Sequence, residues 1–281
     1  MLIAAAPSRN FAANPAWHTW TLESNLMGML MLDGKVAIVT GAGRGLGRAI
    51  AVALAEQGAR LMLHGRSPAP LEELARELGG KDEAAVVTGD VGDEATWGKM
   101  TRATLDRFGR IDILVNNAGI MGGGAALADI PVSEFDAVMR ANVRGTWLGM
   151  AHCVPHMLQR GEGCIVNLSS IHGLHGNAGQ AAYSASKHAV IGLTKTGAIE
   201  YARHGIRVNA VCPAAHETEM FADFRARFTD EQWAERIAAK YPVGRVGKPE
   251  EVAALVVFLC SGGASNLHGL AIPIDGGYAA Q

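Results

Sequence analysis

The stretch Val36-Ala37-Ile38-Val39-Thr40-Gly41-Ala42-Gly43-Arg44-Gly45-Leu46-Gly47 decides how the rest of the chain is read. Its first five residues form an apolar, partly β-branched run that reads as a buried strand, and the glycines after it read as a tight turn. Leu46, Ala49, Ile50, Ala53 and Leu54 then recur at i, i+3, i+4, i+7 and i+8, so a helix follows, with Gly58 as its stop. A helix that starts directly after such a turn offers free N–H groups and a positive dipole end to a pyrophosphate, and the glycines let the backbone approach it closely. The strand before and the helix after the turn make the signal specific.

Outward from this unit the chain alternates short apolar runs with amphipathic stretches. Strands are predicted at 61–64, 84–88, 113–115, 164–168, 207–211 and 270–274, with helical stretches separating nearly all of them. That alternation means an α/β fold with helices on both faces of a mostly parallel, seven-stranded sheet. No internal repeat or linker interrupts residues 33–281, which read as one domain.

Residues 1–32 differ from the rest, with a single basic residue, Arg9, no acid before Glu23 and no periodicity. They are expected to be a leader outside the fold, either disordered or introduced by a misassigned start, since Met27, Met29 and Met31 offer later ones. A short docking arm or a targeting segment is the alternative. The apolar stretch near the start is too short, and too poor in positive charge ahead of it, for a secretory signal.

Composition bounds the function. The 281 residues include 25 basic and 27 acidic side chains, for a net charge of -2, and 49% of residues are hydrophobic. Near-neutrality leaves no basic stripe for nucleic acid or an anionic membrane. The longest apolar run, residues 252–260, falls well short of the ~18 residues that cross a bilayer. Cys153, Cys164, Cys212 and Cys260 form no CxxC pair, which speaks against zinc or a disulfide framework and for reduced thiols in a cytoplasmic protein.

About 20 residues past the glycine turn, a site for NAD would place a carboxylate against the ribose 2′-hydroxyl. This chain has Gly65 and then Arg66. Without that carboxylate, Arg66 and Arg44 can hold a 2′-phosphate by charge-assisted hydrogen bonds, so NADP is the expected cofactor and NAD the less favoured one.

A second signal lies downstream. Tyr183 and Lys187 stand four apart, on one face of a helix, and Ser170 follows the strand at 164–168, where an open α/β sheet presents its ligand crevice. Each residue alone has an ordinary structural use; their combination with the glycine turn points to chemistry.

From about residue 33 to the end, the sequence resembles the short-chain dehydrogenases/reductases. Thr40 to Gly47 matches TGxxxGxG, Asn116-Asn117-Ala118-Gly119 matches NNAG, and Asn142, Ser170, Tyr183 and Lys187 match the catalytic set. Asp90-Val91, Pro213 with Thr218, and Asp275-Gly276-Gly277 extend the resemblance, which is nearest in overall pattern to 3-oxoacyl-acyl-carrier-protein reductases. It implies a single doubly wound Rossmann-type domain and hydride transfer between a nicotinamide and a secondary alcohol or ketone. It also implies a cofactor site formed by Gly41, Arg44, Gly45, Leu46, Gly47, Arg66, Asp90, Val91, Asn117, Ala118, Gly119, Tyr183, Lys187, Pro213, His216 and Thr218.

In the chemistry so implied, Tyr183 is the acid/base, Ser170 hydrogen-bonds the substrate oxygen, Lys187 holds the nicotinamide ribose, and Asn142 retains a water that passes protons. Bringing a phenol from ~10 to neutrality asks for ~4 kcal/mol, which an ammonium ~4 Å away supplies at an effective dielectric of ~20. Tyr183 is therefore expected to be acidified by Lys187. Departures occur at Ala214, where glycine is usual, and at His216, where an apolar residue is usual. His172 and His175 follow Ser170 and face either the crevice or solvent. His152 and His156 have metal-compatible spacing, but Pro155 lies between them and no third ligand is evident, so no metal is expected.

Residues 214–243, with Met220, Phe221, Phe224, Phe228 and Trp233, are expected to form a helical lid over the substrate or to pack as ordinary core. The substrate is expected to be a small alcohol or ketone: a 3-oxoacyl compound, or alternatively a sugar, polyol or cyclic alcohol. Ile199 stands where carrier-binding relatives often have arginine, which weakens the carrier-bound reading. A non-catalytic nucleotide sensor is the alternative of another class. By resemblance, the assembly is a homotetramer.

Overall fold

The computed structural model describes residues 31–226 and 228–281; the expectations for residues 1–30 lie outside them. Seven strands, β1 (Val36–Thr40), β2 (Arg60–Gly65), β3 (Ala84–Thr88), β4 (Ile113–Asn116), β5 (Gly163–Leu168), β6 (Ile206–Pro213) and β7 (Ala271–Ile274), form one sheet in the order β3-β2-β1-β4-β5-β6-β7. The expected mostly parallel sheet is parallel at every pairing. Strand order reverses between β1 and β4, and ligands of such sheets bind in the crevice that opens there at the carboxyl ends of the strands.

Nine helices among the described residues complete the doubly wound arrangement: α1 (Gly45–Glu56), α2 (Pro68–Glu77), α3 (Glu94–Phe108), α4 (Val132–Met139), α5 (Gly145–Arg160), α6 (Ala181–Tyr201), α7 (Glu219–Arg225), α8 (Asp230–Lys240) and α9 (Pro249–Cys260). On one face of the sheet, Ile50 and Leu54 of α1, Leu71 and Leu74 of α2 and Val252 and Val256 of α9 share a core with alternate strand residues. The opposite core holds Trp97 and Met100 of α3, Cys153 and Met157 of α5 and Ala198 of α6. Because both faces are covered, β1 is buried at all five positions, which is why it reads as a continuous apolar run rather than an alternating one.

One expectation is corrected here. Leu32 was assigned to the leader, yet it is 1% exposed in the core, and its N–H donates to Gln57 O at 2.9 Å. One apolar side chain ahead of β1 therefore belongs to the domain. α4 and α5 are joined by a π-helical turn at Arg140–Arg144, which carries Asn142. Turns of this kind recur at functional sites, because the extra residue re-aims a side chain.

Candidate active site

The glycine turn is shaped by contacts that leave no room for side chains. A Cβ on Gly47 would lie 2.1 Å from Gly41 O, and Gly41 itself has φ +66°. The turn is lashed to the end of β4. Asn117 Nδ2 donates to Thr40 O at 2.9 Å and to Gly41 O at 3.2 Å, while the N–H groups of Asn117 and Ala118 both donate to Thr40 Oγ1 at 3.0 Å. The Asn117 amide thus holds the turn from behind, a role that its expected place in the cofactor site did not specify. Leu46 packs into the core beside α1, so its side chain is part of the scaffold.

The remaining expected cofactor positions ring the same crevice. Arg44 is the exposed N-cap of α1, and Arg66 is exposed directly after β2. Asp90, beyond β3, accepts from Gly92 N at 2.7 Å and pairs with Arg140 at 3.2 Å; Val91 is buried. Pro213 ends β6, and Thr218 packs on the turn, with a Cβ on Gly45 reaching to 3.4 Å of Thr218 Cγ2. His216 is buried, its Nδ1 lies 3.1 Å from Ala214 O, and its ring packs on Gly247 so closely that a Cβ there would be 2.4 Å from Nε2. The His216 ring is therefore committed to the base of the lid.

The residues expected to be catalytic come together from the end of β5, the π turn and α6. Lys187 is 5% exposed, and its Nζ donates to Leu168 O at 2.7 Å, at the end of β5. The same ammonium lies 5.5 Å from the centroid of the Tyr183 ring. Burial brings the Lys187 pKa down to about 8. Ser170 Oγ donates to Pro213 O at 3.4 Å and accepts from His172 N at 3.2 Å. The expected acidification of Tyr183 is not what the surroundings produce. Burial raises the phenol above its ordinary value, and the Ser170 hydroxyl offsets this only in part. The physical reason is that a buried phenolate loses the water that would solvate its charge.

Asn142 is 1% exposed and fully employed: Oδ1 accepts from Ile120 N at 2.8 Å, and Nδ2 donates to Ile120 O at 2.8 Å and Ser186 Oγ at 3.0 Å. Its own carbonyl accepts from Thr146 Oγ1 at 2.8 Å. Gly119 brings Asn142 and Lys187 to one spot, since a Cβ there would lie 2.9 Å from Asn142 Oδ1 and 3.5 Å from Lys187 Nζ. Two participants were missed in the sequence. Ser186, inside the Tyr-Ser-Ala-Ser-Lys run, links Asn142 to Tyr183, and Ser169 Oγ donates to Lys187 O at 2.9 Å. Both neighbour residues already singled out, so adjacency was the available signal.

In the lid, Phe221 and Trp233 meet at 5.4 Å between centroids and Phe228 and Trp233 at 5.9 Å, and these rings cluster with Ile237, Tyr241 and Val246. The side chains of Met220 and Phe224 lie outside the described set. A cavity of about 1010 Å³ between α1, α7 and α9 is lined by Arg48, Thr218, Phe221 and Trp233. None of Ser170, Tyr183 or Lys187 lines it.

A glycine turn closed to side chains at a switch point, facing a buried lysine and a phenol, defines a dinucleotide-dependent oxidoreductase. The profile described as Enoyl-(Acyl carrier protein) reductase matches residues 41–279. The chain belongs to the short-chain dehydrogenase/reductase family, whose members are NAD(P)-dependent enzymes acting on alcohols and ketones. It is 41% identical over 252 residues to levodione reductase of Leifsonia aquatica, covering 88% of this chain and 94% of that protein. It is 40% identical over 251 residues to the 3-oxoacyl-[acyl-carrier-protein] reductase FabG of Thermotoga maritima, covering 88% and 99%. The crystal structure of levodione reductase superposes with a TM-score of 0.84 at 39% identity, covering 89% of this chain and 99% of that one.

Proposed function

We propose that the protein is an NADP-preferring reductase of a small ketone, working reversibly on the matching secondary alcohol as a cytoplasmic homotetramer. The observation that carries this reading is the buried Lys187 ammonium 5.5 Å from the Tyr183 ring at the end of β5. The chain's own residues suit the dinucleotide, because Gly41 and Gly47, where a Cβ would clash, let the turn fold tightly onto the N-terminus of α1, whose free N–H groups suit a pyrophosphate. When bound, the dinucleotide supplies the hydride exchanged with the substrate carbon. Ser170 donates to the substrate oxygen and fixes its position. Tyr183, kept protonated by burial, gives its proton to that oxygen as negative charge develops on it. Lys187 stabilises the phenolate left behind; a unit charge 5.5 Å away supplies about 3 kcal/mol at an effective dielectric of ~20.

Preference for NADP is supported by Arg44 and Arg66, both exposed at the crevice and in no ion pair among the described residues, with no carboxylate at 65–67. Four buried, unpaired cysteines suit the reducing cytoplasm. Exposed Phe135, Trp147 and Leu158 on α4 and α5, and Leu270 beside β7, supply apolar surface for association. Ile199, 82% exposed and uncharged, favours a free ketone over a thioester carried on an acidic protein.

A panel of cyclic ketones, diketones and acetoacetyl thioesters, read by NADPH and NADH absorbance, tests the reading. The expected result is a kcat/KM for NADPH about a hundredfold above that for NADH, with free ketones ahead of thioesters. A clear NADH preference overturns the cofactor assignment.

A further inference from the structure

A second set of polar groups stands beside Tyr183, and the proton chemistry does not use it. The His172 ring meets Tyr183 edge to face, with centroids 5.8 Å apart. His175 meets Tyr278 at 6.2 Å, and Tyr278 meets Tyr241 at 5.9 Å. The Lys240 ammonium lies 5.5 Å from the Tyr278 centroid and 5.7 Å from that of Tyr241. The turn after β5, the end of α8 and the C-terminal turn thus converge on one side of the phenol.

The charge of this set is one-sided. Lys240 is half-buried and belongs to no ion pair among the described residues. Burial, and then Arg236 one turn back, bring its pKa below the usual lysine value. The carboxylate of the neighbouring turn, Asp275, is occupied by main-chain donors, Gly277 N at 2.9 Å and Ala279 N at 2.8 Å. His172 Nδ1 is buried without a hydrogen-bond partner. Burial and the positive charge of Lys240 lower the His172 pKa, and a hydrogen bond with Gln180 offsets this in part, so the ring is neutral at pH 7 and adds no counter-charge. An ammonium walled by two tyrosines and lacking a counter-ion is costly to hold, and an anion arriving beside it removes that cost.

We infer that the substrate is an acid: an oxo or hydroxy carboxylate whose carbonyl end meets Tyr183 and whose carboxylate is received by Lys240. This rests on the carbonyl chemistry proposed for Tyr183. The carbon skeleton between the two ends lies against the rings of Tyr241 and Tyr278, which shield the ion pair from water and so strengthen it.

Calorimetric titration of the dinucleotide-saturated protein with cyclohexanecarboxylate and with cyclohexanecarboxamide tests the inference. The acid is expected to bind about tenfold more tightly than the amide, and the difference is expected to vanish in Lys240→Gln. Equal binding of acid and amide, or an acid preference that survives Lys240→Gln, overturns it. Reduction of cyclohexanone by the wild type and by Tyr183→Phe is measured alongside. Acid preference without Tyr183-dependent reduction would overturn the carbonyl chemistry alone, whereas Tyr183-dependent reduction without acid preference would overturn the anion site alone.

Discussion

Asn142 Nδ2 donates to Ser186 Oγ at 3.0 Å, and Ser186 Oγ donates in turn to Tyr183 O at 2.7 Å. The π turn that carries Asn142 is thereby tied to the backbone of Tyr183, the proposed proton donor. Ser186→Ala would leave that end of the Asn142 amide with Ile120 O alone. A buried donor deprived of one partner costs about 1–2 kcal/mol, to be read by chemical denaturation. Steady-state kinetics should show kcat lowered about tenfold with dinucleotide affinity nearly unchanged, because the substitution loosens Tyr183 rather than the glycine turn.

Asn117 makes the converse prediction. Its amide holds Thr40 O and Gly41 O, so Asn117→Ala frees the turn without touching Tyr183. Dinucleotide binding, measured by fluorescence titration, should weaken about tenfold, while kcat at saturating dinucleotide changes little. A collapse of kcat with intact binding would contradict this division of labour.

Lys187 is held in its site at the expense of stability. Its pKa is about 8 in the folded protein against an ordinary 10.5. Below pH 8 it is protonated in both folded and unfolded chains, and burial of its charge costs about 3 kcal/mol. Between about pH 8 and 10.5 the unfolded chain binds the extra proton, so this part of the stability rises with pH. Lys187→Met should therefore raise the melting temperature at pH 7 by a few degrees, after allowing about 1 kcal/mol for the lost bond to Leu168 O, and should remove that rise with pH. Differential scanning calorimetry at pH 7 and pH 10 reads both effects, and activity should be lost.

The sheet was legible because its strands are short, largely apolar runs: the predicted run at 84–88 coincides with β3, and the others lie within a residue or two of β2, β4, β5, β6 and β7. The glycine turn was legible because few other residues fit where a Cβ would strike Gly41 O. The π turn at Arg140–Arg144 was not, since a single wider helical turn changes neither propensity nor apolar period enough to register in residues. Nor was the membership of Leu32 in the core, which depends on a backbone bond to Gln57 twenty-five residues away. Side-chain commitments escaped for the same reason. Asn117 and Asp90 fall near the expected crevice, yet their polar atoms are directed by partners from other segments, and the His216 ring is packed against Gly247. The ionisation of Tyr183 depends on burial and on the Ser170 hydroxyl, and spacing along α6 carries neither fact.

The central claim is that the Tyr183 hydroxyl is the proton donor to the substrate oxygen, and kcat of Tyr183→Phe tests it most directly. With dinucleotide binding unchanged by titration, kcat for ketone reduction should fall by about a thousandfold, the scale of lost general acid catalysis. Turnover within about tenfold of the wild type, on a ketone that the wild type reduces well, would contradict the claim.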